Sequence, residues 1–183
     1  MNEKIINPPN TPLNEEYKQF LRTQFFNVCE NRSVLEIAPF DGHHTEIIKS
    51  CNPSKLTLVE ANPACNPILL EKFPNDIIVN DDIYNFYRNE YLVDVVICCG
   101  LLYHLHSPLY LLELIVNQSS PEYIIIDNVS ETRDTMSTSY GYEYTNLPGN
   151  RFGGKLEHLA KFNCPLPLHV MDLAMRDMGY HRE

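Results

Sequence analysis

The chain has 183 residues, 44% hydrophobic and 21% charged, which suits one packed domain and excludes wholesale disorder. A formal net charge of -10 disfavours nucleic acid as a partner, and no basic stripe offsets it, since Lys49, Lys55 and Lys72 stand far apart. No apolar run is long enough to span a bilayer, and the polar start MNEKIINPPN matches neither a leader nor an anchor, so a cytoplasmic protein with no membrane association is expected.

Residues 1–13 form an arm rich in proline and asparagine, and residues 14–183 are expected to form a single α/β domain. Apolar residues then recur at Tyr17, Phe20, Leu21, Phe25 and Val28, the spacing of one helical face. Glu15 and Glu16 complement the dipole of that helix in its first turn. Beyond Asn31, short Val- and Ile-rich runs alternate with helical patterns. Strands are expected at 33–37, 55–59, 76–80, 93–98 and 122–126. Helices are expected around Ile47 and Ile48, from Pro63 to about Phe73, from Ser107 and Pro108 to Val116, and from about Pro167 to Met178. Ser107 suits an N-cap, Pro108 a first helical turn and Gly179 a C-cap. Strands alternating with helices at this spacing predict a three-layer sandwich around a doubly wound, mainly parallel sheet. The stretch 130–150 is polar, contains Tyr140, Tyr142 and Tyr144, and reads as a long loop that could cover a site.

Cysteines stand at 29, 51, 65, 98, 99 and 164 without a CxxC pair, which implies reduced thiols, Cys98 and Cys99 being buried. His43-His44 and His104-x-His106 lack a carboxylate partner at ligand spacing, so no metal is expected from them.

Open parallel sheets bind ligands beyond the carboxyl ends of their strands, and four segments fall there. The first runs from Val34 to Thr45, where Gly42 permits a close backbone approach and the next helix start offers free N–H groups. The second ends in Glu60 and Ala61, an acid able to accept hydrogen bonds from two ribose hydroxyls. The third is Asn80-Asp-Asp-Ile-Tyr84, and the fourth Cys99-Gly-Leu-Leu-Tyr-His-Leu-His-Ser-Pro108. Alone, each has a plainer explanation: a turn, a solvated strand end, a helix N-cap for Asp81 or Asp82, a core pair for Tyr103 and His104. Their common position at strand ends favours a site.

The first segment resembles motif I of the class I methyltransferases, an acidic residue followed by GxGxG. Glu36, Ala38, Pro39, Phe40, Asp41, Gly42 and Thr45 lie in the matching stretch, with Ala38 replacing the first glycine and Phe40 the middle one. Pro-Phe-Asp-Gly and the Cys99–Pro108 segment resemble the branch containing the wobble-uridine tRNA methyltransferases. This resemblance covers 33–128 and implies S-adenosyl-L-methionine as cofactor. Glu60 would hold the ribose, Asp82 (or Asp81) and the backbone of Ile83 the adenine, and the backbone at Cys99, Gly100 and Leu101 the methionine moiety.

The implied reaction is methyl transfer to an unidentified acceptor, a small molecule in view of the charge, with His104 as candidate base and Tyr103 beside it. The alternatives are a protein that binds S-adenosylmethionine without methylating, or consumes it by another route. A nicotinamide oxidoreductase is disfavoured by the missing glycines. The family's sheet closes with an antiparallel hairpin, but this chain stops at Glu183, so that hairpin is expected to be missing or incomplete. The sheet edge left open would suit pairing in a homodimer.

Overall fold

A computed structural model describes residues 15–105, 107–127, 143–144, 162–163 and 168–181. The expected lid stretch therefore lies outside the described residues except for 143–144, as do the 1–13 arm and Cys164.

Five strands form one all-parallel sheet: β1 (Ser33–Ile37), β2 (Lys55–Val59), β3 (Ile77–Val79), β4 (Val95–Cys99) and β5 (Tyr123–Asp127), in the order β3-β2-β1-β4-β5. The order reverses between β1 and β4, which opens a crevice at their carboxyl ends. Each strand lies within two residues of its expected span. β4 is buried along its whole length, as a strand covered on both faces must be. A separate antiparallel ribbon pairs β6 (Glu143–Tyr144) with β7 (Phe162–Asn163) and does not join the main sheet, so the closing hairpin of the family is not seen among the described residues.

Helices cover both faces. α1 (Glu15–Cys29), α2 (His43–Ser50) and α3 (Asn66–Lys72) pack against the Val34, Leu56, Leu58, Val95, Ile97 and Cys99 side of the sheet. α4 (Ile83–Phe86), a 3-10 turn (Leu102–His104), α5 (Pro108–Ser119) and α6 (Leu168–Asp177) lie on the Leu35, Ile37, Val59, Val96 and Cys98 side. Period-two alternation thus sends neighbouring Cys98 and Cys99 to opposite cores.

One local expectation is corrected, and the N-cap at Ser107 is found in place without its side-chain bond. Phe20, read as part of the buried stripe of α1, is 58% exposed. The buried stripe is instead Leu21, Phe25 and Cys29, four residues apart, and Phe20 lies about 100° around the helix from it. Ser107 stands at the N-cap of α5, but its hydroxyl makes no capping bond. Pro108 removes one N–H that would otherwise need a partner. Gly179 follows α6 with φ +91°, as a left-handed helix end requires.

Phe25 is fully buried at the centre of the α1 contact. Phe25→Ala should lower unfolding free energy by about 3–5 kcal/mol, measured by urea denaturation.

Candidate functional site

The turn from β1 into α2 carries three left-handed residues within five positions. Ala38, Phe40 and Gly42 have φ of +57°, +56° and +85°. These are the three positions at which the motif carries glycine, and two of them hold the left-handed conformation with a side chain in place. An L-residue held so costs about 1–2 kcal/mol, so the surroundings must impose it. Ala38 donates its N–H to the Val59 carbonyl (2.8 Å), and Gly42 donates to Pro39 (2.9 Å). Phe40 packs beside the α1–α3 core, Ala38 beside the opposite one. At Gly42 the glycine is needed for space as well, since a Cβ would come within 2.5 Å of Phe73 Cε2.

Glu60 enforces the turn. Its Oε2 accepts the Phe40 N–H (2.9 Å), its Oε1 accepts the Asn62 N–H (2.7 Å), and the Ala61 N–H also bonds to it. The residue is 4% exposed, and burial raises its pKa despite these bonds. Glu36, on β1, is 1% exposed; its Oε2 accepts the Thr45 hydroxyl (2.6 Å). Burial, only partly opposed by the Thr45 bond, pushes Glu36 up to about 8, and the nearby Glu60 charge adds to the rise. Asp41 pairs with His43 (Oδ2–Nε2, 3.2 Å), and its carbonyl accepts from Lys72 Nζ (2.9 Å).

At the end of β3 the plainer explanation of the acidic pair holds. Asp82 is the N-cap of α4, its Oδ1 accepting the Tyr84 N–H (2.8 Å). Asp81 Oδ1 accepts the Asp82 N–H (2.8 Å). Ile83 is buried in the core behind them. After β4, Gly100 is exposed with φ +72°, and its N–H donates to the Asp127 carbonyl (2.7 Å). Leu101 is half-buried. Tyr103 and His104 sit together in the 3-10 turn, ring centroids 4.0 Å apart. The β6–β7 ribbon passes beside that turn through β7.

Two residues outside the expected set belong to the same edge. His44 in α2, Cys99 and Asp127 bring one ligand atom each to within 4.8 Å of one another. The spacing of the histidines offered no carboxylate, whereas the fold delivers one from β5. Asp127 ends a strand just as Glu60 follows one, so the strand-end rule could have found it.

The residues fit an adenosyl cofactor on two observations. The three positions at which the motif carries glycine are left-handed here, and the Glu60 carboxylate, with four lone pairs and three backbone bonds, can accept one more. Asp82 is less available, because one oxygen already caps α4.

No family model matches the chain. Its fold is that of solved class I methyltransferases. The sugar N-methyltransferase KedS8 from Streptoalloteichus sp superposes with a TM-score of 0.62 at 13% identity, covering 91% of this chain and 79% of that one. The N-terminal domain of EvdMO1, solved in the presence of S-adenosylhomocysteine and D-fucose, gives 0.60 at 16% identity, covering 90% and 73%. The N-methyltransferase NodS from Bradyrhizobium japonicum, in complex with S-adenosyl-L-homocysteine, gives 0.53 at 19% identity, covering 66% of this chain and 63% of that one. At these identities the likeness establishes the fold, a Rossmann-like α/β sandwich.

Two outcomes follow from the buried turn. Gly42→Ala should destabilise the fold by about 1–3 kcal/mol in chemical denaturation, since it adds both strain and a clash with Phe73. Glu36 binds its proton more tightly folded than unfolded, so its contribution to stability is full below about pH 4.5 and is lost as pH rises toward 8. Glu36→Gln should remove that loss, gaining on the parent chain by up to about 1.4 kcal/mol per pH unit across this window. A pH-independent difference in melting temperature would show that Glu36 ionises normally.

Proposed function

We propose that the chain is an S-adenosylmethionine-dependent methyltransferase acting on a small-molecule acceptor. The observation that carries this is the β1–α2 turn, left-handed at 38, 40 and 42 and clamped by the Glu60 carboxylate. When bound, S-adenosylmethionine supplies a methyl group already activated on sulfonium. The protein's task is then mainly alignment of donor and acceptor, which can be worth about 7–11 kcal/mol. Glu60 would accept from the ribose and α2 would offer its first N–H groups to the carboxylate. The start of α4 at Ile83 would flank the adenine, and the exposed backbone at Gly100 would admit the methionine chain. His104 would take the acceptor's proton where one must be lost, with Tyr103 lining the same turn.

The net charge of -10 supports a small acceptor over a tRNA, even though the Cys99–Pro108 segment resembles the wobble-uridine branch. That two proteins of similar fold, KedS8 and NodS, are N-methyltransferases supports an acceptor offering nitrogen. A second reading, binding without transfer, is favoured by one observation: Phe40 places a large side chain where the motif has glycine.

Calorimetry with S-adenosylhomocysteine should detect binding, and Glu60→Ala should weaken it by about 10-fold or more, the worth of one charged hydrogen bond. Preference for NAD, or no binding of either nucleoside product or donor, removes the proposal. Incubation with labelled donor and fractionated metabolites then separates the two readings, since a binder transfers no label. With an acceptor in hand, His104→Ala should cut turnover about 100-fold or more while leaving product affinity unchanged. Unaltered turnover at every pH would release His104 from the role.

A further inference from the structure

We propose that His44, Cys99 and Asp127 form a binding site for a zinc-class divalent metal ion, at the point where the strand order reverses. The three donors come from separate elements, the first turn of α2, the end of β4 and the end of β5, yet their ligand atoms all lie within 4.8 Å of one another. Tetrahedral bonds of about 2.0–2.3 Å place donor atoms roughly 3.3–3.8 Å apart, so side-chain rotations that draw the atoms in by about 1 Å close the set.

The environment of the three donors bears on the proposal in both directions. His44 Nε2 is shut off from solvent and makes no hydrogen bond among the described residues, an expensive state for a ring nitrogen that a coordinate bond relieves. Burial lowers the His44 pKa and keeps the ring neutral, the form that ligates. Its neighbour His43 also has a buried Nε2 without a hydrogen bond, 3.2 Å from Asp41 Oδ2, and it is the convergence of ligand atoms that selects His44. Cys99 is buried, and burial with the nearby Glu36 raises its thiol pKa, a cost that the metal–sulfur bond has to exceed. Binding then forms a metal–sulfur bond, breaks the S–H bond and sends that proton to solvent. One thiolate and one carboxylate cancel the dication's charge, so the filled site is neutral in a low-dielectric setting.

The donor set fixes the class of ion. Magnesium and calcium take oxygen ligands, whereas nitrogen and sulfur together suit zinc or cobalt. Three protein ligands leave a fourth position for water or a lone-pair donor. Use of that position by a methyl acceptor rests on the methyltransferase reading above; occupancy by the ion does not.

The test uses the untagged full chain, stripped with chelator and titrated with Co2+ in the absence of any adenosyl compound. One Co2+ per chain is expected, with a thiolate-to-cobalt charge-transfer band, tetrahedral visible bands, release of one proton and bleaching by Zn2+. Cys99→Ser should abolish the charge-transfer band and Cys98→Ser should keep it. His44→Ala and Asp127→Asn should each weaken Co2+ by at least about 10-fold. Circular dichroism checks that each variant is folded; if Cys99→Ser is not, the other two decide. Absence of the band in the parent chain, its persistence in folded Cys99→Ser, or unchanged affinity in folded His44→Ala and Asp127→Asn overturns the site. Loss of Co2+ binding with adenosyl binding intact would leave the proposed methyltransferase standing.

Discussion

The buried carboxylate of Glu60 is the constraint on which the ligand edge of this protein depends. A chain that turns left-handed at Ala38 and Phe40 without glycine has to be held there, and Glu60 holds it by accepting the Phe40 N–H from across the strand boundary. The same side chain gathers the N–H groups of its own turn, and its backbone joins the next strand through the Val79 carbonyl and Asn80. Three strand ends are thereby tied together through one acid. Its desolvation is costly, and the backbone bonds offset that cost only in part, which is why its pKa still lies above the ordinary range.

This arrangement places two carboxyl groups, Glu36 and Glu60, within electrostatic reach of each other in a nearly closed environment. Such a pair disfavours further negative charge, and a cation placed beside it would favour the ionised form of both carboxyl groups, which burial otherwise opposes. The sulfonium and ammonium groups of the proposed cofactor are cations, and a divalent ion beside Cys99 would be another. Charge complementarity of this kind draws a ligand in and fixes its orientation more than it adds to affinity.

Most of the fold was legible in the sequence because parallel strands buried on both faces leave compact Val- and Ile-rich runs. β4, buried at every position, is the clearest case. The edge strand β3, three residues long and less buried, was overextended in the sequence, since nothing in Asp76 or Asn80 marks where pairing stops. The face of α1 was harder: Phe20 and Leu21 are equally apolar, and only packing decides which turns inward. At the site, Glu60 and Gly42 were found from position alone, but their work is invisible to it. The clamp on Phe40 has no signature beyond residue type, whereas a helix N-cap is already the plainer explanation of the Asp81-Asp82 pair in the sequence. His44 and Asp127 lie 83 positions apart, and no spacing rule joins residues that only the sheet's crossover brings together.

The vicinal thiols at the end of β4 have a consequence for redox behaviour. A bridge between Cys98 and Cys99 would need their sulfurs about 2.05 Å apart, yet the pleat aims one into each hydrophobic layer. Joining them would mean twisting the central strand out of register with both β1 and β5. The sheet therefore protects this pair from internal disulfide formation, and keeps the two sulfurs chemically separate although they are adjacent in the chain.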